Sequence, residues 1–338
     1  MKATIIILAY KHERFIGEAL DAIAMQTRQA DEIIIVDDAS PDATPDLIEA
    51  FVREHPALPI RFLRNSSNLG VTASFARAAE AATGDVIVTA AGDDISMPER
   101  LERCLDYLAN SPKTYGVITN AEIIDENSQK VGRLDNCGGA EQPVSLELDD
   151  LEPGEHFLRG RSSCGAAAAY RAAVFREFSP LRPGLYSEDD PAAFRAMLLG
   201  GCDFIPTPLT RWRRHGNNLS YGMGGRRGPE MAVHYRRCEA MIDQMLRDGA
   251  EWTAKHPKES PGLANALANF RLQKARWSLW ATAHETGVSL YRFLGSAQEL
   301  HAQSPSTLNF ITLVWRPLVG MLTPYPIQRL ISGLRRNP

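Results

Sequence analysis

Short apolar runs alternate with helix-like segments through the first 120 residues, and this alternation constrains the fold more than any other feature. Thr4 to Ala9 is a continuous run of β-branched and aliphatic residues, typical of a parallel strand buried on both faces. Glu18 to Met25 follows with apolar residues at helical spacing. Further strand-like runs lie at 32–36, 60–63, 86–89 and 115–119, with helical segments at 44–54, at 73–82 and from residue 98. Such alternation predicts an α/β fold with a mainly parallel, doubly wound sheet.

Polar residues follow three of these predicted strands. Tyr10 follows the first strand, Asp37 and Asp38 end the second, and Asp93 and Asp94 come soon after the fourth. Doubly wound sheets bind ligands beyond the carboxyl ends of their strands. The chain has neither a GxGxxG nor a GxxxxGK[ST] motif, so phosphates would be held in another way. Carboxylates that bind Mg²⁺ or Mn²⁺ together with substrate phosphates are one such way, although turn formation and helix capping explain the same acids.

Three later segments carry further candidate residues. Ser162–Arg171 is rich in Gly, Ala and Ser, so it either lets a ligand or another backbone approach closely or forms a tightly packed strand. An acidic triplet precedes a predicted helix, where the helix dipole alone favours negative charge. The segment Leu209–Ser220 holds cations that can bind a diphosphate, and its histidine can also ligate a metal. The residues concerned are Glu188, Asp189 and Asp190 in the triplet, and Arg211, Arg213, Arg214 and His215 in the basic segment.

Six segments, in this order, resemble the family 2 nucleotide-sugar glycosyltransferases from Lys2 to about Tyr221. They read TIIILAYKHERFI, EIIIVDDASPDAT, NLGV, GDVIVTAAGDD, SEDDPAAFRAMLLGG and LTRWRRHGNNLS. The resemblance implies a GT-A fold and an inverting transfer from a nucleoside-diphosphate sugar, with a UDP-sugar favoured. The acceptor would be a hydroxyl of a saccharide or a lipid-linked molecule, as in the synthesis of cell-surface polysaccharides.

The resemblance also implies roles for individual residues. Ala9, Tyr10, Asp38 and Asp93 would bind the nucleotide, and Asp93, Asp94 and His215 would hold Mg²⁺ or Mn²⁺. Asp189 would be the catalytic base with Glu188 as the alternate, and Arg211, Arg213 and Arg214 would contact the diphosphate. Asn218 and Ser220 match the closing motif of the family. Many members carry an Asp-x-Asp-Asp motif, but this chain has Ala91 in place of the first Asp, so its acidic motif has one carboxylate fewer.

The predicted domain organisation is a catalytic domain, a linker and a helical extension. The catalytic domain covers residues 1–221, with the nucleotide-binding part in about 1–120 and the acceptor part in about 121–221. The linker covers 222–229 and the helical extension 230–338, which the sequence predicts from apolar residues at helical spacing. Residues 308–322 are apolar apart from Arg316, which predicts either a helix lying on a membrane surface or one packed on the catalytic domain or a second subunit.

Charge and cysteine content bound the partners and the compartment. Residues 1–210 carry 33 acidic and 19 basic residues, and the remainder carries 8 and 18. The excess of basic residues after residue 210 favours binding to a phosphate-bearing substrate or an anionic membrane, or it forms a solvated face. No nucleic-acid-binding motif accompanies it, so a nucleic-acid partner is not predicted. The five cysteines lie far apart in sequence, and the N-terminus has no signal-peptide pattern. These features predict a cytoplasmic protein. If the C-terminal segment binds a membrane, the protein would lie at the cytoplasmic face of that membrane.

Two alternative functions are open at the level of sequence. A nucleotidyltransferase also combines a nucleotide-binding sheet with acid-bound metal, but its chemistry needs no acceptor base of the kind that the triplet before the helix offers. A sugar-nucleotide-binding scaffold protein with weakened activity is the other alternative, and Ala91 is the only feature that favours it.

Overall fold

The computed structural model describes residues 1–151, 157–216, 218, 229–258 and 260–286. Strands and helices alternate along most of this part of the chain. The strands are β1 (Ala3–Ala9), β2 (Glu32–Asp37), β3 (Ile60–Arg64), β4 (Val86–Ala91), β5 (Ile95–Ser96), β6 (Gly116–Ile124), β7 (Lys130–Leu134), β8 (Val144–Leu146), β9 (Ala168–Arg171) and β10 (Cys202–Arg213). The helices are α1 (Ile16–Ala24), α2 (Thr44–Glu54), α3 (Val71–Ala81), α4 (Arg100–Asn110), α5 (Ala173–Arg176), α6 (Asp189–Leu199), α7 (Pro229–Lys255) and α8 (Pro261–Thr286).

One sheet runs through the described part of the chain, in the strand order β3-β2-β1-β4-β9-β6-β10-β5, with β7 beside β6 and β8 beside β10. The strands β3, β2, β1 and β4 pair in parallel, as the sequence predicts. Beyond β4 the sheet is mixed, because β9 pairs antiparallel with both β4 and β6, whereas β6 and β10 are parallel. The α/β fold class is thus confirmed, and the parallel part lies within residues 1–120, for which nucleotide binding stays a prediction.

The apolar runs form strands because both faces of the sheet are covered. Along β1, Ile5 and Ile7 pack into one core cluster while Ile6 packs into another, and none of the three exposes more than 2% of its surface. Full burial of an aliphatic side chain of this size stabilises the fold by about 1.5–3 kcal/mol. A strand with apolar residues on both faces is therefore favoured over any arrangement that leaves one face in water.

The carboxyl ends of β1, β2 and β4 meet at one edge of the sheet. Ala9 at the end of β1 is opposite Asp37 at the end of β2, and Leu8 is opposite Ala91 of β4. The chain turns sharply after two of these strands, since Lys11 has a φ of 60° and Ala39 a φ of 58°. These are left-handed backbone conformations that non-glycine residues seldom adopt.

The chain divides into two compact units. The first comprises Met1–His215 and Arg247–Ala266, and the second comprises Gly216–Leu246 and Leu267–Pro338. The end of α7 and the start of α8 thus belong to the unit that contains the sheet, a division that the boundaries predicted from sequence do not include. Within the second unit, α7 contacts α8 through the rings of Tyr235 and Trp280, with centroids 5.2 Å apart, and through a 2.8 Å ion pair between Arg236 and Glu285.

Several predictions for the C-terminal third lie outside the described residues. These are the linker, apart from Pro229 at the start of α7, and the predicted helical extension beyond residue 286, which includes the apolar segment 308–322. Among the helices that the structure describes, none combines the length and the apolarity needed to span a bilayer.

Candidate active site

Asp93 lies just after β4, and two histidines face its carboxylate. The Nε2 atom of His215, just beyond the end of β10, is 2.9 Å from Asp93 Oδ2, and Nε2 of His12 is 3.7 Å from the same oxygen. Burial on its own would raise the pKa of Asp93, but the charge of His12 and the hydrogen bond to His215 outweigh it and hold the pKa below its usual value. Asp93 is therefore an anionic carboxylate in a nearly buried position, with imidazole nitrogens beside it.

Asp94 has a different environment from its neighbour. Its Oδ1 atom accepts a 2.7 Å hydrogen bond from the backbone N–H of Arg213 on β10. Burial, reinforced by the charge of Asp93, raises the pKa of Asp94 well above its usual value and favours the neutral carboxyl. This side chain ties the end of β4 to β10, so the structure gives less support to Asp94 than to Asp93 as a metal ligand.

The arginines of the basic segment divide between a buried brace and a partly exposed pair. Arg213 is fully buried, and its guanidinium donates to Glu18 Oε2 at 2.7 Å and to the backbone oxygen of Asp93 at 2.8 Å. Arg211 is 3.4 Å from Glu122 with its side chain 47% exposed, and the Arg214 guanidinium lies 4.9 Å from the centre of the Trp212 ring. Arg213 thus braces the site, which is not the diphosphate contact predicted for it, while Arg211 and Arg214 remain candidates for that contact.

The carboxylate of Asp38 organises the loop before α3. Its Oδ1 accepts hydrogen bonds from Asn65 Nδ2 at 2.7 Å and from the N–H of Leu69 at 2.8 Å, and its Oδ2 accepts one from the N–H of Gly70 at 2.8 Å. Gly70 has a φ of 83°, a conformation that suits glycine. Asp38 therefore joins the end of β2 to the N-terminus of α3. A hydrogen bond from a nucleobase to the Asp38 carboxylate would come in addition to these three bonds.

Ala9 and Tyr10 lie beside Asp38. The backbone oxygen of Ala9 accepts a 2.9 Å hydrogen bond from the N–H of Asp38, and Ala9 itself is buried. Tyr10 is 39% exposed, and the Nζ atom of Lys11 lies 5.2 Å from the centre of its ring. The structure thus places the predicted nucleotide residues Ala9, Tyr10 and Asp38 together at one edge of the sheet, with an exposed aromatic ring available for stacking on a base.

The acidic triplet stands at the start of α6. Glu188 precedes the helix and Asp189 is its first residue, and their carboxyl groups are joined by a hydrogen bond. Burial raises the pKa of Glu188, and burial together with the charges of Glu188 and Asp190 raises the pKa of Asp189 well above its usual value. The two carboxyl groups therefore hold a shared proton to a higher pH than isolated acids do. A carboxylate with a raised pKa is a stronger base than an isolated acid, which suits a general base.

Cys164 connects the two acidic groups. Burial raises the pKa of its thiol, and the charges of Asp189 and Asp94 raise it further. Both carboxyl groups are thus close enough to act on one side chain. Gly165 gives the geometric link, because its carbonyl oxygen accepts a hydrogen bond from Thr89 of β4 and its Cα faces the carboxyl groups of Glu188 and Asp189. The acidic motif after β4 and the triplet before α6, which are about 95 residues apart in sequence, therefore lie near the same backbone segment.

Asp93 and the residues around it offer a small set of donors to a divalent metal. Among the residues that the structure describes, no group of three or more His, Cys, Asp or Glu side chains is arranged to hold a metal ion. One carboxylate and one imidazole, those of Asp93 and His215, do converge, and Mg²⁺ or Mn²⁺ commonly completes so small a protein set with substrate phosphates and water. The donors fit a metal that binds together with a diphosphate.

Sequence reasoning overlooked three residues of this site. His12 lies in the first of the six segments, and its position one turn before α1 gives no sign that it faces Asp93. Ser163 and Gly165 lie in the small-residue run, and both contact the acidic triplet. Of the remaining motif residues, Asn218 is among the described residues, and Ser220 lies outside them.

The α/β sheet with acids beyond the carboxyl edge of its parallel half is the arrangement expected of a transferase with a GT-A fold. The model of glycosyl transferase family 2 matches residues 4–178, about half of the chain, so the chain belongs to that family. An uncharacterized glycosyltransferase of Nostoc sp. is 28% identical over 64% of this chain and 66% of its own length. The amylovoran biosynthesis glycosyltransferase AmsE of Erwinia amylovora is 27% identical over 58% of this chain and 70% of its own. Across the first relatives that it matches, the chain spans between 37% and 66% of their length.

Solved structures confirm the fold. S. aureus TarS in complex with UDP-GlcNAc aligns over 98% of this chain and 92% of its own with a TM-score of 0.62 and 15% identity. The mannosyltransferase PcManGT of Pyrobaculum calidifontis, in complex with GDP-Man and Mn²⁺, aligns over 100% of this chain and 88% of its own with a TM-score of 0.52 and 17% identity. At this level of identity the similarity shows the GT-A fold alone.

Proposed function

We propose that this chain transfers a sugar, with inversion, from a nucleoside-diphosphate sugar to a hydroxyl group of a saccharide or lipid-linked acceptor. The observation that carries this proposal is that Gly165 contacts both Thr89 of β4, the strand before the acidic motif, and the carboxyl groups of Asp189 and Glu188. Membership of the family supports the reaction class, and the nucleotide sugars bound by TarS and PcManGT support the donor class. AmsE, a protein of amylovoran biosynthesis, supports an acceptor in the synthesis of a cell-surface polysaccharide.

In the proposed reaction the donor lies across the carboxyl ends of β1, β2 and β4. The base and ribose contact the edge formed by Ala9, Tyr10 and Asp38, and we favour uridine as the nucleoside. The diphosphate extends toward Asp93 and His215, with Arg211 and Arg214 as further contacts. When Mg²⁺ or Mn²⁺ is bound by Asp93, His215 and the diphosphate, it neutralises charge that develops on the departing nucleotide.

The acceptor hydroxyl attacks the anomeric carbon from the face opposite the diphosphate. Its proton passes to a carboxylate oxygen of Asp189 as the new glycosidic bond forms and the bond to the diphosphate breaks. A single displacement of this kind needs only one carboxylate within hydrogen-bonding reach of the hydroxyl. The charge of Glu188 raises the pKa of Asp189, so the ionised carboxylate of Asp189 is a stronger base toward the acceptor hydroxyl than an isolated aspartate.

Nucleotide-sugar binding is the first test of this function. The unfolding temperature would be measured for the wild-type chain with UDP-, GDP- and other nucleotide sugars, each with and without Mn²⁺. A ligand that binds only the native state raises this temperature, so we expect an increase for one nucleoside class, larger with Mn²⁺. The released product would then be identified: a nucleoside diphosphate supports glycosyl transfer, whereas pyrophosphate indicates a nucleotidyltransferase. Binding without turnover in the presence of acceptors would indicate a scaffold, and no stabilisation by any nucleotide would contradict the proposal.

A further inference from the structure

The small-residue run from Ser162 to Arg171 has a part that the proposed function does not use. Its second half forms β9, and its first half forms a turn over Ser163–Ala167, which we call the 163–167 turn. This turn lies between the sheet and the acidic triplet of α6. The two alternatives that the sequence leaves open therefore apply to different halves, since one half is a packed strand and the other lets side chains approach the backbone closely.

Three threonine hydroxyls of the sheet face the backbone of the 163–167 turn, and two of them donate hydrogen bonds to it. Each comes from a different strand, β4, β6 or β10, and each threonine is at most 2% exposed. Thr89 donates to the carbonyl oxygen of Gly165, Thr210 to that of Ala166 at 3.3 Å, and Thr119 lies 3.4 Å from that of Ala167. A turn that is bonded to two strands through buried groups has little freedom to move, because each bond would have to be replaced by another partner.

The opposite side of the 163–167 turn holds the acids. The backbone N–H of Gly165 donates to the carboxyl group of Asp189, and the hydroxyl of Ser163 donates to Oδ1 of Asp190. Gly165 has no side chain, and its neighbours fill that space. A Cβ atom there would lie 2.9 Å from Oε1 of Glu188 and 2.9 Å from Cγ of Asp189, and closer still to Oδ1 of Asp189. Glycine is therefore the residue that lets both carboxyl groups reach the turn.

We infer that the 163–167 turn positions the catalytic base, with Gly165 placing the carboxyl group of Asp189 and Ser163 placing that of Asp190. This inference rests on the proposed function and assigns Gly165 and Ser163 as positioning residues. The bonds run from the sheet through the threonines to the turn, and from the turn to α6. The base is thereby held at a fixed distance from β4, whose end carries the acids on the donor side.

The decisive variant is Gly165→Ala, compared with Gly17→Ala as its matched control. An added Cβ at Gly17 meets no atom within 4 Å, whereas one at Gly165 displaces the Asp189 carboxyl group. Because a displacement of about 1 Å can cost 100-fold in rate, we expect kcat of Gly165→Ala to fall about 100-fold, with KM for the donor nearly unchanged. The control should keep the wild-type kcat, since Gly17 has no contact with the acids.

Ser163 gives a second variant that adds no atoms to the crowded side of the turn. Ser163→Ala should lower kcat about tenfold, and Ser163→Thr, which keeps the hydroxyl, should restore it.

The acidic limb of the kcat profile should move to higher pH in Gly165→Ala, because the Gly165 N–H bond that this variant loses lowers the pKa of Asp189 in the wild type. The titratable groups that face Asp189 are Glu188 and Asp190 on α6, Cys164 in the turn and Tyr170 on β9.

Two results separate the outcomes. If Gly165→Ala and Ser163→Ala both keep the wild-type kcat and pH profile while Asp189→Asn is inactive, the positioning role is wrong and the proposed function stands. If the wild-type chain binds nucleotide sugars but transfers no sugar, the proposed function itself fails. If Gly165→Ala does not fold, the Ser163 pair decides, since a loss in Ser163→Ala that Ser163→Thr restores supports the inference, and equal wild-type rates overturn it.

Discussion

The carboxylate of Asp248 on α7 forms a two-point ion pair with the guanidinium of Arg195 on α6. The Nε–Oδ2 and Nη2–Oδ1 distances are both 2.8 Å, and neither side chain is more than 1% exposed. Arg195 lies on the helix that begins with the proposed base, so this pair fixes α6 to the end of α7. Removing one partner of a buried ion pair leaves the other charge without compensation.

We expect Asp248→Ala to lower the free energy of unfolding by about 3–5 kcal/mol. The matched control is Asp243→Ala on the same helix, whose ion pair with Lys274 is partly exposed. The control should cost less than about 1 kcal/mol, because solvent screens such pairs. Urea denaturation of both variants measures the difference. Equal losses in the free energy of unfolding would show that the buried pair stabilises the protein no more than the exposed pair does.

Backbone strain after β2 gives a prediction of opposite sign. Ala39 has a φ of 58°, and a left-handed conformation costs a non-glycine residue about 1–2 kcal/mol. Glycine relieves this cost but gains entropy in the unfolded chain, so Ala39→Gly should stabilise the protein by about 0.5–1 kcal/mol. Ala76→Gly, in the interior of α3, should destabilise it by about 1 kcal/mol. If urea denaturation shows both substitutions to be destabilising by similar amounts, the strain at Ala39 is not real.

The raised pKa of Asp189 predicts how stability depends on pH. Above the pKa of an unfolded aspartate, about 3.9, the folded state keeps a proton that the unfolded state has lost. Stability should therefore fall as pH rises through this window, until the pH passes the raised pKa of the folded state. Asp189→Asn removes this dependence, so its stability relative to wild type should increase as the pH rises above about 4, by up to about 1.4 kcal/mol per unit of pKa shift.

Urea denaturation at several pH values checks this, with Asp106→Asn as the control. Asp106 is exposed on α4, so its substitution should change stability by the same small amount at every pH. A constant difference between Asp189→Asn and wild type across this range would contradict the raised pKa.

The metal prediction rests on Asp93. Asp93→Asn removes the anionic oxygen that faces His215, so Mn²⁺ should no longer increase the thermal stabilisation given by the nucleotide sugar. We expect the apparent affinity for Mn²⁺, measured by calorimetry with the nucleoside diphosphate present, to fall at least about tenfold. Unchanged Mn²⁺ affinity in Asp93→Asn, with Asp106→Asn as reference, would remove Asp93 from the metal site.

The parallel half of the fold could be predicted because its cues are local. Each apolar run and each helical spacing is read within about ten residues, and α2 begins and ends at the predicted residues. The insertion of β9 between β4 and β6 could not be predicted in this way, because the pairing joins segments about 80 and 50 residues apart. A run of alanines is compatible with either a strand or a close backbone approach.

The division of roles within the site depends on contacts between distant segments. Three arginines within four residues look alike in sequence. Only the structure shows that Arg213 is buried and donates a hydrogen bond to Glu18, which is 195 residues away. Asp93 and Asp94 are adjacent, yet one faces histidines and the other faces a backbone N–H of β10. The residues of the candidate site could therefore be proposed from the sequence, whereas the environment that sets the pKa of each one could not.

The measurement that tests the central claim most directly is donor turnover by Asp189→Asn. Release of nucleoside diphosphate in the presence of acceptor would be compared for wild type, Asp189→Asn and Asp106→Asn, together with the stabilisation of each by the donor. The account predicts a loss of at least about 100-fold in kcat for Asp189→Asn alone, with donor stabilisation retained in all three. Turnover by Asp189→Asn at the wild-type rate would contradict it.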